Sequence, residues 1–239
     1  MSNTSESEAV SGVGGVVFDL DATLVNLGGF VKWRDAHTEA IQAYTINGCP
    51  DELVSRCSGG GLFHMMNEIR EELSSTLPPS EVERLQGAVY ETVERYEMEG
   101  MEHCHILPGC IEALEWLRGR GIRAGLATSN SQRVAERVLE LNGMSSYFTS
   151  VVGRRPDLPM KPHPAPILKC LEEMHIDPGE GVMVGDSPRD IEAAKSAGVY
   201  AIAIPSPFSK IEAILEAGAD SVIGSLEELP TLIEGLRLR

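Results

Sequence analysis

A short apolar run that ends in acidic residues constrains this chain more than any other feature. Residues 13–20 read as a β-strand, and Asp19, Asp21 and Thr23 lie at and just beyond its end. Side chains alternate along a strand, so residues two apart project to the same side. Asp19 and Asp21 would therefore lie together at the carboxyl end of a strand, where open α/β sheets bind their ligands. The alternative is an ordinary strand that runs into an acidic turn.

Two adjacent carboxylates need a source of positive charge. Like charges 4 Å apart repel by about 4 kcal/mol at an effective dielectric constant of 20. A hard divalent cation that prefers oxygen ligands, such as Mg²⁺, offsets this repulsion well. The sequence therefore makes Asp19 and Asp21 candidates for a magnesium site.

The composition narrows the functions that the chain can have. Its 239 residues suffice for one large α/β domain, or for a core with a smaller insert. A formal net charge of −16 argues against a nucleic-acid partner, and no apolar run reaches the ~18 residues of a membrane span. A chain with this much negative charge repels anionic substrates. A phosphate site here therefore needs local positive charge from a metal, a basic side chain or helix N-termini.

The N-terminus and the cysteines indicate where the protein works. Residues 1–12 are polar and acidic, lack the pattern of a signal peptide, and are predicted to form a disordered tail. The five cysteines are odd in number and show no CxxC spacing, which favours free thiols and a cytoplasmic location. His103, Cys104 and His105 lack a second ligand pair with zinc spacing, which favours a packed hinge over a metal site.

A second region, residues 26–104, lacks strand patterns and is predicted to be an all-helical insert. Ser80 and Glu83 are spaced as a capping box, and apolar residues follow them at helical spacing. The predicted helices cover residues 35–47, 62–73 and 80–99.

The remainder of the chain alternates between helix and strand. This alternation implies parallel pairing and a doubly wound α/β sheet, built from residues 13–25 and 105–239. Glycines precede the first strand instead of following it, which excludes a dinucleotide-binding loop. The later strands are predicted at residues 122–127, 147–152, 181–184, 199–204 and 221–223.

Further polar residues follow the later strands of this sheet. Thr128 and Asp186 come directly after strands, and Lys161 lies in a loop that could reach the same edge. Parallel strands bring their carboxyl ends to one edge, so these residues are expected to converge with Asp19 and Asp21. Helix capping by the hydroxyls and solvation of the lysine are the ordinary alternatives.

Four short motifs resemble those of the haloacid dehalogenase superfamily of aspartate-nucleophile phosphatases. FDLDATL resembles the first motif, LATSN the second, KPHP the third and GDSPRD the fourth, while the helical insert resembles the first-position cap. Ala22 stands where glycine is usual, and Ala165 replaces an acid that commonly follows the third motif. The resemblance covers nearly everything after the first 12 residues.

The resemblance implies a role for each residue of the motifs. Asp19 would attack phosphorus to form an aspartyl phosphate, and Asp21 would act as the general acid and base. The resemblance also implies that Asp19, Asp186 and the Asp21 carbonyl bind Mg²⁺. It implies that Thr128, the Ser129 amide and Lys161 bind the phosphate. Asp190 would orient Lys161 or the metal waters.

In the cap, a loop of three glycines is predicted to contact the substrate. Arg56, Gly59 and Gly60 lie where such caps carry a substrate-specificity loop, and Arg56 offers a planar fork suited to an anion. A flexible connection between helices is the alternative.

The function implied is a Mg²⁺-dependent phosphatase that hydrolyses a small phosphorylated metabolite, with phosphoglycolate as one candidate. A phosphomutase of the β-phosphoglucomutase type uses the same motifs, although Thr23 follows the pattern usual in phosphatases. A phosphoacceptor signalling domain would carry its acidic residues in a different order. A non-catalytic binding protein would not need all of Asp19, Asp21, Lys161 and Asp186. The sequence carries no indication of oligomeric state.

Overall fold

The computed structural model describes residues 12–238, so the predicted tail lies outside the described residues except for Gly12. Its core is a sheet in which every strand pairs with its neighbours in parallel, in the order β3-β2-β1-β4-β5-β6. The predicted α/β class is therefore confirmed. The strands are β1 (Gly15–Phe18), β2 (Arg123–Ser131), β3 (Phe148–Arg154), β4 (Gly181–Gly185), β5 (Tyr200–Ala203) and β6 (Ser221–Val222).

Helices cover both faces of the sheet, because alternate side chains of each buried strand point to opposite sides. Val16 and Phe18 of β1 pack into one apolar cluster, and Val17 packs into the cluster on the other face. The core helices are α5 (Cys110–Gly119), α6 (Gln132–Leu141), α7 (Ala165–Met174), α8 (Pro188–Ala197), α9 (Ile211–Glu216) and α10 (Leu229–Gly235).

Four helices between β1 and α5 form the cap, which has an apolar cluster of its own. Inside that cluster the Tyr44 hydroxyl donates a hydrogen bond to Gln86 Oε1 at 2.9 Å, so the buried hydroxyl is satisfied. The helical insert is confirmed. The helices are α1 (Trp33–Ile46), α2 (Asp51–Cys57), α3 (Leu62–Ser74) and α4 (Pro79–Met101).

Two details of the cap differ from the sequence-based prediction. The capping box at Ser80 is wrong, because α4 starts one residue earlier, with Pro78 as N-cap and no side-chain capping bond. Pro79 suits the first helical position, since its missing N–H would be unpaired there anyway. Helix α2 was not predicted, and it places Arg56 in a helix instead of a loop.

The two chain segments that join cap and core run side by side. Val25 and Ile106 form an antiparallel bridge, and the His105 amide donates to Asn26 Oδ1 at 2.8 Å. The Phe30 ring lies 5.9 Å from the His103 ring, in keeping with a packed hinge. Within residues 12–238, no helix is long and apolar enough to cross a membrane.

Candidate active site

The acidic end of β1 lies at the centre of the site. The Asp19 amide donates to the Val184 carbonyl of β4 at 2.9 Å, which continues the sheet pairing past Phe18. Asp19 is buried, and burial raises the pKa of its carboxyl group while the Lys161 ammonium opposes that shift. The sheet therefore holds the backbone of Asp19 rigidly while its carboxylate faces a cavity.

Lys161 binds Asp19 from the loop after β3. Its ammonium donates to Asp19 Oδ1 at 2.6 Å, to the Ala127 carbonyl at 2.7 Å and to Asp190 Oδ1 at 2.5 Å. Burial lowers the pKa of Lys161, but the two carboxylates outweigh burial and raise it. Lys161 therefore stays charged, and its three N–H donors are all used.

Asp190 orients Lys161 from the first turn of α8. One carboxylate oxygen pairs with Lys161, and the other accepts from the Ser187 amide at 3.0 Å and hydroxyl at 2.7 Å. Burial raises the pKa of Asp190, but Lys161 outweighs it and the net pKa falls. The same residue therefore completes a helix capping box and an ion pair.

Asp21 is half-buried and Asp186 is buried, and each carboxyl group has few partners. Asp21 Oδ1 accepts from the Gly28 amide at 2.7 Å, and Asp186 Oδ2 accepts from the Ser206 hydroxyl at 2.5 Å. Burial, with the Asp19 carboxylate, raises the pKa of Asp21 to about 6. Burial, with Asp190 and Asp19, raises the pKa of Asp186 to about 8. Lys161 pairs with Asp19 and Asp190, which leaves Asp21 and Asp186 without a cationic partner among the described residues.

These side chains fit a hard cation. Carboxylate oxygens of Asp19, Asp186 and Asp190 lie within 4.8 Å of one another. Asp190 is committed to Lys161 and Ser187, so Asp19 and Asp186 remain as the available oxygen ligands. Crowded, buried oxygen ligands with too little positive charge are the donor set that Mg²⁺ prefers.

The second motif lies in an irregular extension of β2. The sequence predicts that the strand ends at Ala127, but β2 continues to Ser131, which pairs with Arg154. The Thr128 hydroxyl donates to Asn130 Oδ1 at 3.1 Å and accepts from the Asn130 amide at 3.2 Å. Thr128, Ser129 and Asn130 all line the cavity, next to the carboxylates.

A buried ion pair beneath this segment was missed in the sequence. Glu97 of α4 and Arg154 of β3 meet at 2.9 Å, and neither side chain is exposed. Glu97 also accepts from Asn130 Nδ2 at 3.1 Å and from the Ser131 amide at 3.2 Å, and Arg154 donates to the Ser129 carbonyl at 2.8 Å. The signal was present, since Glu97 lies four residues after Val93 on the apolar face of α4.

The cavity above the carboxylates has a volume of about 320 Å³. Its lining also includes the cap side chains Trp33, Leu62 and Phe63, together with Phe208 and Ser209 of the core. The Trp33 and Phe63 rings meet edge to face, with centroids 5.4 Å apart. None of these five residues was identified from the sequence, because their approach to the site depends on how the cap folds over the core.

The predicted specificity loop is only partly near this cavity. Arg56 pairs with Glu72 at 2.9 Å on the cap surface and lines a different depression, so the structure does not bring it into the cavity. Gly59 is exposed, and Gly60 lies in a shallow pocket beside Phe63 and Arg189. The sequence missed Arg189, which lines both this pocket and the cavity.

The family model described as haloacid dehalogenase-like hydrolase matches residues 16–204, which span the sheet strands β1 to β5 and the cap. The chain belongs to this family. Its sequence is 29% identical over 215 residues to phosphoglycolate phosphatase of Vibrio parahaemolyticus, covering 90% of this chain and 93% of that protein. The chain is thus an enzyme, a phosphatase of the haloacid dehalogenase-like hydrolases.

Solved structures have the same fold. A predicted phosphoglycolate phosphatase from Haemophilus somnus aligns with a TM-score of 0.62 at 22% identity, covering 92% of this chain and 97% of that one. A structure assigned as a β-phosphoglucomutase, from Thermotoga maritima, aligns with a TM-score of 0.61 at 27% identity, covering 93% and 99%. The sheet and inserted cap are therefore those of this hydrolase family.

Ala22, directly after the second carboxylate of the first motif, has a left-handed backbone with φ of 60°. This conformation destabilises the folded state by about 1–2 kcal/mol when the residue is not glycine. Glycine removes that strain, but its more flexible unfolded chain offsets about 0.4–1 kcal/mol of the gain. We expect Ala22→Gly to raise the free energy of unfolding by about 0.5–1 kcal/mol in urea denaturation. Ala88→Gly, inside α4, is the control and should lower it by about 1 kcal/mol. A lower free energy of unfolding in Ala22→Gly would show that the left-handed backbone of Ala22 is not strained.

Proposed function

We propose that this hydrolase is a Mg²⁺-dependent phosphatase that removes phosphate from a small metabolite through an aspartyl-phosphate intermediate. The observation that carries the proposal is the pairing of Asp19 with Lys161 beside Asp21, at the floor of one small cavity. Asp19 is a carboxylate held in place by sheet and lysine, and Asp21 is an acid whose pKa of about 6 suits proton transfer near neutral pH.

The two half-reactions use the two carboxylates in turn. A carboxylate oxygen of Asp19 attacks phosphorus, the bond from phosphorus to the ester oxygen breaks, and Asp21 donates its proton to that departing oxygen. A water molecule then attacks the aspartyl phosphate and loses its proton to Asp21. The products are the alcohol, inorganic phosphate and the original pair of carboxyl groups, so atoms and protons balance.

The remaining residues position and neutralise the phosphoryl group. Thr128 and Ser129 line the cavity and offer a hydroxyl and an amide to its oxygens, while Lys161 contributes positive charge beside them. Asp19 and Asp186, with the backbone carbonyl of Asp21, would hold Mg²⁺, which supplies positive charge to the phosphate when bound. Phosphoryl transfer depends mostly on such positioning and charge stabilisation.

Phosphoglycolate is the first substrate to test, because relatives aligned along most of their length carry that name. The second candidate function is a phosphomutase, favoured by the likeness to the Thermotoga maritima structure. The two reactions differ in where the phosphoryl group goes. Release of inorganic phosphate in a Mg²⁺-containing panel of metabolites indicates a phosphatase, and isomerisation of a hexose phosphate without release indicates a mutase.

Asp21→Asn separates the roles of the two carboxylates. Substrates with good leaving groups need little acid assistance, so this variant should still form some phosphoenzyme from p-nitrophenyl phosphate. Hydrolysis of the phosphoenzyme should slow by about 10²-fold or more, because the general base is lost. Rapid-quench detection of covalently bound phosphate measures both steps. Equal losses with good and poor leaving groups, without phosphoenzyme accumulation, would show that Asp21 has another role.

A further inference from the structure

Arg189 is a cationic residue of the cavity that the mechanism above does not use. It is the second residue of α8, directly before Asp190, and its half-buried side chain lines the cavity. Its guanidinium carbon lies 5.1 Å from the centroid of the Phe63 ring in the cap. A guanidinium that stacks on an aromatic face keeps its N–H edge free for other partners.

Arg189 has no ion-pair partner in the part of the chain that the structure describes. Among the residues that the structure describes, no carboxylate oxygen lies within the 4.0 Å ion-pair distance of its guanidinium, whereas Arg154 and Lys161 are both paired. Its sequence neighbour Asp190 uses its oxygens for Lys161 and Ser187. The position of Arg189 is therefore not explained by any ion pair with the described residues.

The charges around the cavity indicate that Arg189 binds an anionic group. Lys161 and Arg189 are the cationic residues of the lining, and the donors of Lys161 are taken by Asp19, Asp190 and the Ala127 carbonyl. With a net charge of −16 the protein as a whole repels anions, so an anionic group far from the reacting phosphate needs its own cation. A planar guanidinium binds carboxylate or phosphate oxygens through two parallel hydrogen bonds.

We propose that Arg189 determines substrate specificity by binding a second anionic group of the substrate, a carboxylate or a second phosphate. This inference rests on the proposed phosphatase function and names the substrate class within it. The cavity of about 320 Å³ is at the lower end of ligand-site volumes, which favours a phosphate ester of few carbons. Phe63 holds the guanidinium over the cavity, so the cap contributes to recognition through this ring.

The test compares substrates that differ in one charged group. Phosphoglycolate carries a carboxylate where 2-hydroxyethyl phosphate carries a neutral alcohol, and a short-chain bisphosphate carries a second phosphate. In Arg189→Gln we expect the ratio of kcat/KM for phosphoglycolate to that for 2-hydroxyethyl phosphate to fall by about 10- to 100-fold, the range of one charge-assisted hydrogen bond. The loss should lie mainly in KM, because the contact is made equally before and during the reaction.

Two further variants make the result specific. Arg189→Lys keeps the charge without the fork and should restore part of the ratio. Arg95→Gln removes the same charge from the surface of α4, where Arg95 pairs with Glu39 at 2.7 Å, and should leave the ratio at its wild-type value. A fall in the ratio for the bisphosphate, but not for phosphoglycolate, would assign Arg189 to a second phosphate.

Failure of this inference is distinguishable from failure of the proposed function. One outcome is that the wild-type enzyme releases phosphate while Arg189→Gln leaves kcat/KM for phosphoglycolate and for the bisphosphate unchanged relative to 2-hydroxyethyl phosphate. In that case Arg189 does not bind a second anionic group. If the wild-type enzyme releases no phosphate from p-nitrophenyl phosphate or from any of the three esters, the phosphatase proposal itself fails and the inference falls with it.

Discussion

Asp19→Asn is expected to reduce phosphate release by at least about 10³-fold, because an amide is a poor nucleophile where a carboxylate is required. The substitution is nearly isosteric, and the amide oxygen can still accept the hydrogen bond from Lys161. Lys161 also keeps its ion pair with Asp190, so the fold should survive. Steady-state release of phosphate from p-nitrophenyl phosphate, with Mg²⁺ present, measures the effect.

A matched control separates loss of the nucleophile from loss of a negative charge. Asp51→Asn makes the same chemical change at an exposed position in the first turn of α2, away from the cavity, and should keep wild-type turnover. Thermal unfolding of Asp19→Asn should resemble that of the parent enzyme. Near wild-type activity in Asp19→Asn would show that another group attacks phosphorus.

Glu97→Gln is expected to lower the free energy of unfolding by about 3–5 kcal/mol, the usual result of removing one partner from a buried ion pair. The change preserves the shape of the side chain but leaves the fully buried Arg154 without a counter-charge. Arg154 would keep only neutral acceptors, namely the Ser129 and Tyr90 carbonyls and the single amide oxygen of the introduced glutamine. Urea denaturation followed by circular dichroism gives the measurement.

Glu94→Gln is the control in the same helix. Glu94 pairs at 3.4 Å with Arg133, whose side chain is 75% exposed, and such surface pairs contribute about 0–1 kcal/mol. The double variant Glu97→Gln with Arg154→Met should recover much of the lost stability, because it removes the unpaired charge. A Glu97→Gln protein within about 1 kcal/mol of the parent would mean that water reaches and solvates Arg154.

The four motifs were readable from the sequence because each is local. A strand followed by a polar residue defines the position of Asp19 or Asp186, and parallel pairing brings such positions to one edge. The bonds from Lys161 to Asp19 and to Asp190 agree with the expectation that these motifs converge. The helix α3 and the strand β4 were predicted within one residue for the same reason.

The errors in the cap have different physical causes. Helix α2 has seven residues, too few to show an amphipathic pattern that stands out from a loop. Arg56 has the chemistry of an anion-binding residue, but its direction depends on where α2 packs, and there it meets Glu72. Arg189 was overlooked because a charged residue in a helix first turn is unremarkable until a cavity and Phe63 lie beside it.

The sequence by itself determined the alternation of strands and helices, the helical insert and the identity of the carboxylates and lysine at the centre of the site. These depend on periodicity and on spacing within a few residues. Only the tertiary structure decided that Glu97 reaches Arg154 across 57 positions and that Phe63 holds Arg189 over the cavity. Such contacts join distant parts of the chain, and they form where cap and core pack, which no local pattern encodes.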